Sequence, residues 1–334
     1  MRNKLLGLFL FLLSFILLYT NKIILFAKDV YLGGDSIGIE LRKNGVIISG
    51  TYDIIIDNKV YNPINEGIKI GDVIIESNDQ KVSNSKDFIT SIYNTKNNTL
   101  NLTIKRNDDI INKNIKIIKE NTSYKTGLYI KDKVLGVGTL TYYDPETNNY
   151  GALGHEIIDS DTKEIFNDFK GKITGSDVEG YKKSVNGTPG EKIATLNEEE
   201  YIGNILLNTK YGIYGEYNDN IKINNRIIST ASIDEIHKGN AQIATVLDDD
   251  KIEYFDINII KLEKQNEIST KGITFEITDE NLLKKTNGVI QGMSGSPIIQ
   301  DDKLIGAVTH VITNDVKKGY GIYIDFMLSM SNTI

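Results

Sequence analysis

Short runs in which apolar and polar residues alternate, separated by turn residues, dominate the chain beyond residue 127. Leu128-Tyr129-Ile130, Gly138-Thr139-Leu140-Thr141-Tyr142, Ile202 to Leu207, Gln242 to Leu247, Tyr254-Phe255-Asp256-Ile257 and Leu304 to Val311 all suit strands with a buried face. In this part of the chain helical spacing is confined to Glu280–Lys285 and the neighbourhood of Met327. Residues 121–334 therefore predict a mainly β unit. Residues 29–120 read as a small α+β module: Ser85 caps a helix running through Phe88, Ile89 and Ile92, and Leu100, Leu102 and Ile104 alternate as a strand. At the N-terminus, Arg2 and Lys4 precede an apolar run from Leu5 to Tyr19 that pauses at Thr20-Asn21-Lys22 and resumes from Ile23 to Ala27. The segment 1–28 suits a signal peptide's core or, taken to Phe26, a membrane anchor; with no convincing small-residue cleavage site the uncleaved anchor is the expectation, with a cytoplasmic N-terminus and the rest of the chain across the membrane.

Composition narrows the classes. The 334 residues are 40% hydrophobic, enough for real cores, and the formal net charge is −7 without a dense Lys/Arg cluster, which argues against a nucleic-acid partner. There is no cysteine, so disulfides, thiolate metal sites and a cysteine nucleophile are excluded. The acidic runs Asp248-Asp249-Asp250 and Asp301-Asp302 sit between strand-like segments as hairpin turns do, and neither has metal-ligand spacing with a histidine. No metal and no cofactor are expected.

The chemistry concentrates in Gly292-Met293-Ser294-Gly295-Ser296-Pro297, which reads as a serine on a tight loop feeding a β-hairpin. Ser294, followed directly by glycine, is preferred as nucleophile over Ser296, which precedes proline. The N–H groups of Gly292 and Ser294 are expected to form an oxyanion hole. A serine hydroxyl needs a base, and of three histidines His155 is favoured because the small residues of Gly151-Ala152-Leu153-Gly154 let the backbone pack closely around it. His237 lies in a polar surface-type segment, and His310 continues the strand after the nucleophile. Asp159 and Asp161, just after His155, are candidates for the carboxylate, although they also suit a solvated turn.

Several further segments carry a resemblance. Ser36-Ile37-Gly38-Ile39 resembles the carboxylate-binding loop of PDZ domains, and Gly67 to Ile74 resembles their turn-and-strand signature, with Asn78-Asp79 in place of the usual Asn-Gly turn. Together with Gly136 to Pro145, Gly151 to His155, Thr278-Asp279-Glu280 and Gly288 to Pro297, in that order, the chain resembles the stage IV sporulation protein B (SpoIVB) serine peptidases of endospore-forming bacteria. The resemblance implies a PDZ domain followed by a chymotrypsin-like double β-barrel, with Asp279 completing a triad with His155 and Ser294. It further implies self-cleavage near the N-terminus, action between the two membranes around a developing spore, and cutting of a membrane-associated regulator. That cut would release an intramembrane protease and activate a late sigma factor. The expected partners are a protein substrate near the membrane and a peptide on the PDZ groove, the chain's own segments among its sources. An HtrA-like quality-control protease is the alternative enzyme, although there the PDZ domain normally follows the protease; a PDZ adaptor without catalysis is the non-enzymatic alternative.

Overall fold

A computed structural model describes residues 27–163, 165–218, 226–248, 251–264 and 267–334. All but the last two residues of the anchor expected over 1–28 lie outside this set, as do Asp249 and Asp250 of the acidic run. Among the described residues no helix is long and apolar enough to cross a membrane.

The chain opens with β1 (Asp29–Leu32) and β2 (Ser36–Thr51). The small module follows: β3 (Val73–Ser77), α1 (Ser85–Tyr93), β4 (Thr99–Arg106) and β5 (Asp109–Lys116), with shorter strands between them. Asn84, one residue before the expected Ser85, caps α1 through its side chain. Asn78 and Asp79 both take positive φ in a two-residue hairpin turn, so the turn forms without the usual glycine. Val46, Ile48, Ile74, Phe88, Leu100, Leu102 and Leu128 pack together as the module's core.

Next come β6 (Leu128–Asp144), β7 (Asn149–Ala152), β8 (Lys170–Lys182), β9 (Glu191–Ile205) and β10 (Gly212–Glu216). The pairings β2–β8, β8–β9, β10–β7, β7–β6 and β6–β2, with a Gly203–Tyr217 bridge joining β9 to the end of β10, close a six-stranded barrel. Its core holds Ile37, Ile39, Leu140, Tyr150 and Ile173. After β11 (Ile227–Thr230), a second ring of six is built from β12 (Gly239–Val246), β13 (Ile252–Leu262), β14 (Ile273–Ile277), β15 (Pro297–Gln300), β16 (Lys303–Val311) and β17 (Lys318–Tyr323). Its strands pair in the cycle β12–β13–β14–β17–β16–β15–β12 around Ile243, Phe255, Phe275, Ile298 and Val308. Asp301 and Asp302, both at positive φ, form the β15–β16 hairpin turn. Helix α2 (Glu280–Thr286) precedes the hairpin, and α3 (Ile324–Ser331) ends the chain.

No flexible linker separates the module from the barrel. β2 pairs with β6 from Ser36 to Arg42 inside the barrel and again from Ile47 to Thr51 inside the module, and the register slips between the two stretches, around Gly45 at φ +143°. β1, within the segment 29–120, pairs with β6 and β11, and the first half of β2 is a barrel strand. A third core, including Leu32, Tyr142, Tyr214, Leu304 and Met327, fills the space between the two rings.

Candidate active site

The loop from Gln291 to Ser296 is held by its carbonyls. Lys192 N donates to Gln291 O (2.9 Å), Thr139 Oγ1 to Gly292 O (2.8 Å), Thr139 N to Ser294 O (2.9 Å) and Thr141 Oγ1 to Gly295 O (2.7 Å), while Ser296 N donates to Met293 O (2.9 Å). In a planar trans peptide the C=O and N–H point in opposite directions. Anchoring Gln291 O and Met293 O therefore aims the N–H groups of Gly292 and Ser294 the other way, and neither has an acceptor among the described residues. Gly292 and Gly295 sit at φ +93° and +92°, a region that favours glycine. A Cβ on Gly295 would lie 2.0 Å from Thr139 O, so the close approach to β6 also requires its absence.

Ser294 Oγ donates to Thr309 O on β16 (3.0 Å). His155 follows β7 through a turn in which Leu153 and Gly154 both have positive φ. A Cβ on Gly154 would meet Thr309 Cγ2 at 2.8 Å, so this glycine lets the His155 turn press against β16. His155 Nδ1 lies 2.8 Å from Glu156 O. Because a carbonyl only accepts, Nδ1 carries the proton and Nε2 of the neutral ring is left as the basic nitrogen. Burial is the main influence on His155 and holds its pKa below the ordinary imidazole value, which keeps the ring neutral. The His310 ring is centred 5.1 Å away and is also held low, first by desolvation and then by His155 and Lys271. Val134, Val137, His155, Gly292, Ser294 and His310 share one cleft of about 630 Å³ between the two rings.

The remaining candidates lie elsewhere. Asp279 is the N-cap of α2: its Oδ1 accepts from Leu282 N (2.8 Å) and its Oδ2 from Asp256 N (3.5 Å), and it does not line the cleft. Among the described residues His155 makes no ion pair with a carboxylate, so the structure does not bring Asp279 together with His155 and Ser294. Asp159 and Asp161 both pair with Lys131. Ser296 is 0% exposed, its hydroxyl shut away from the cleft. His237 is on the surface, with Nε2 2.8 Å from Asp301.

Ser36, Ile37, Gly38 and Ile39 do not form a carboxylate-receiving loop. Both edges of this stretch are taken, with Gly38 opposite Val137 of β6 on one side and Thr174 of β8 on the other. Ile37 and Ile39 point into the barrel core, and Ser36 Oγ is bonded to Ser176 Oγ (2.8 Å). From Ile37 to Ile39, neither strand edge is open to an incoming peptide among the described residues.

Three residues that shape the site were missed in the sequence. Thr139 and Thr141 sit two apart on a strand, and both are 0% exposed, so polar groups at inward positions were the available signal. Lys192 is a lysine in an otherwise strand-like stretch, and nothing local marks it.

The SpoIVB peptidase S55 family model matches residues 122–328, more than half of the chain, and the PDZ domain model matches residues 36–117. No curated protein matches. Among solved structures, the crystal structure of the Rv3671c protease from M. tuberculosis in its active form is similar at 10% identity, covering 59% of this chain and 74% of that one. The TM-score between the two is 0.33. On the family match, this chain belongs to the SpoIVB peptidase S55 family and is a serine peptidase with an N-terminal PDZ domain.

Proposed function

We propose that the cleft hydrolyses a peptide bond through an acyl-enzyme on Ser294, with His155 as general base. The observation carrying this reading is the pair of unpartnered N–H groups, Gly292 and Ser294, beside the Ser294 hydroxyl in a cleft shared with a neutral His155. Ser294 Oγ attacks the carbonyl carbon as its proton passes to His155 Nε2, and the oxyanion settles on the two N–H groups. His155 then protonates the leaving amine, and water, activated by the same nitrogen, releases the acyl group. The Glu156 carbonyl orients the imidazole. Two six-stranded rings with the site between them support the chymotrypsin-like arrangement that the family resemblance implies.

The substrate lies along the open edge of β6. From Leu128 to Val137 this strand pairs with β2 on one side only among the described residues, and its far end, Val134 to Val137, forms a cleft wall. An extended peptide can add to such an edge through main-chain hydrogen bonds. The near end is tied to the PDZ module, where Ser85 N at the start of α1 donates to Asp132 Oδ2 (2.8 Å), so the module borders the path into the cleft. In the cell, this reading keeps the role implied by the family: an exported, membrane-tethered enzyme that cleaves itself and a membrane-associated regulator during sporulation.

The test is the full-length chain and its Ser294→Ala variant in membranes, with new N-termini sequenced and hydrolysis of a peptide substrate followed. Turnover is expected to fall by about 10⁴–10⁶ in the variant. Because His155 must be neutral and its pKa is lowered, the acid limb of the wild-type profile is expected below pH 6.5. Unchanged processing by Ser294→Ala would remove the assignment.

A further inference from the structure

Lys192 on β9 is 7% exposed, and among the described residues its amine has no carboxylate partner. Nζ lies 3.0 Å from Thr245 Oγ1 on β12 and 3.3 Å from Thr139 Oγ1 on β6. Thr139 Oγ1 in turn reaches Gly292 O (2.8 Å), and the Lys192 stem packs directly beneath Gly292, where a Cβ would come within 2.9 Å of it. The backbone N–H of the same lysine holds Gln291 O. A buried cation without a counter-charge is costly and has no role in the chemistry described above.

We propose that Lys192 is a positioning residue for the oxyanion-binding loop: its protonated amine donates to Thr139 Oγ1, which obliges that hydroxyl to donate to the Gly292 carbonyl. The inference rests on the serine peptidase reading of the cleft. A threonine hydroxyl has one proton to give. When the amine is charged it offers only donors, so the Thr139 proton goes to Gly292 O and the loop is held from below. When the amine is neutral it has a lone pair, can accept the Thr139 hydroxyl's hydrogen bond itself, and leaves Gly292 O unheld. No bond is made or broken in this step beyond loss of the ammonium proton to solvent.

The surroundings make the switch accessible. β6 and β12 present threonine hydroxyls to the amine, and the loop presents Gly292. Of the nearby charged side chains, Glu191 is half-buried and paired with Lys182, and Glu253, opposite Thr245, is paired with Lys285. Burial is the sole cause of the shift that brings Lys192 down to about 7. The active, protonated form is therefore lost as pH rises through neutrality.

The experiment compares pH profiles of peptide hydrolysis for the full-length wild type, Lys192→Met, Thr139→Val and Thr139→Ser, with Ser294→Ala as the blank and circular dichroism to verify folding. The wild type is expected to show an alkaline limb near pH 7. Lys192→Met and Thr139→Val are expected to lose that limb, with kcat near pH 6.5 lowered by about tenfold and KM unchanged, a fraction of the full value of an oxyanion donor. Thr139→Ser, which keeps the hydroxyl, is expected to keep the limb. A folded Lys192→Met that retains the limb, or a wild type without one, overturns the proposal. Should Lys192→Met not fold, the valine and serine variants decide: a limb in both, or in neither, overturns it. If the wild type hydrolyses no faster than Ser294→Ala at any pH, the peptidase reading of this cleft fails first, and that outcome is distinct from hydrolysis with an unaltered limb.

Discussion

Gly292–Gly295 and Ser36–Ile39 are both short glycine-containing segments whose sequence suggests backbone N–H groups offered to an oxygen, yet the fold treats them in opposite ways. In the first, the carbonyls are tied back by Lys192, Thr139 and Thr141, the glycines take positive φ, and two N–H groups, those of Gly292 and Ser294, are left without an acceptor among the described residues. In the second, the chain is extended and a strand lies on each edge, so its backbone is engaged in the sheet. A glycine motif becomes a binding site only where the opposite side of each peptide is anchored and the near side is unpaired. The comparison also explains how a PDZ-like sequence can begin inside a peptidase barrel: β2 is shared, and the register slip around Gly45 is where it passes from one body to the other.

The comparison breaks first at Gly292. Gly292→Ala places a side chain at φ +93° and a Cβ 2.9 Å from the Lys192 stem, so the loop must move and the N–H must swing away. Turnover is expected to fall by about 10²–10³, the worth of one oxyanion donor, with KM little changed. Steady-state kinetics on the folded variant checks this, and near-normal kcat would mean that Gly292 supplies no such donor.

Gly38 tests the other half. Its backbone is extended, but a Cβ would come within 2.6 Å of Thr174 Oγ1 and 2.7 Å of Leu196 Cγ. Gly38→Ala is therefore an overpacking change, expected to destabilise the fold by about 1–3 kcal/mol while turnover per folded molecule stays within a few-fold. Thermal melts paired with cleavage of a protein substrate and of a short peptide make the measurement. Selective loss on the protein substrate with an unaltered melt would restore Ser36–Ile39 as a peptide-binding element.

What the sequence disclosed was local. The Asp301-Asp302 hairpin turn, the strand alternation of β6 and the glycine-flanked Ser294 each depend on residues within a few positions of one another. The anchoring of the loop does not: Thr139 and Gly292 are 153 positions apart, and Lys192 is 53 from both of its threonine partners. The edges of Ser36–Ile39 were hidden for the same reason, since the residues that pair with them come from 136–139 on one side and 173–175 on the other. Asp279 is the case where local and distant readings compete. An acid placed just before a helix is a cap by its immediate context, and only a long-range contact could make it the partner of His155.

That competition yields the smallest and most discriminating effect. Asn caps a helix about as well as Asp, so Asp279→Asn should preserve the bond from Leu282 N, leave the melting temperature nearly unchanged and keep turnover within a few-fold. Asp279→Ala removes the cap and should destabilise by about 1 kcal/mol. A triad acid behaves differently, because its negative charge stabilises the imidazolium formed during attack, and Asp→Asn there lowers turnover by up to about 10⁴ with the fold intact. Single-turnover rates and melts of the two variants separate these cases: a carboxylate that only caps α2 affects the melt of the alanine variant, whereas one that orients His155 affects the rate of the asparagine variant. A large rate loss in a normally folded Asp279→Asn would show that the carboxylate reaches His155 during turnover, and the Glu156 carbonyl could no longer be the element that orients the base.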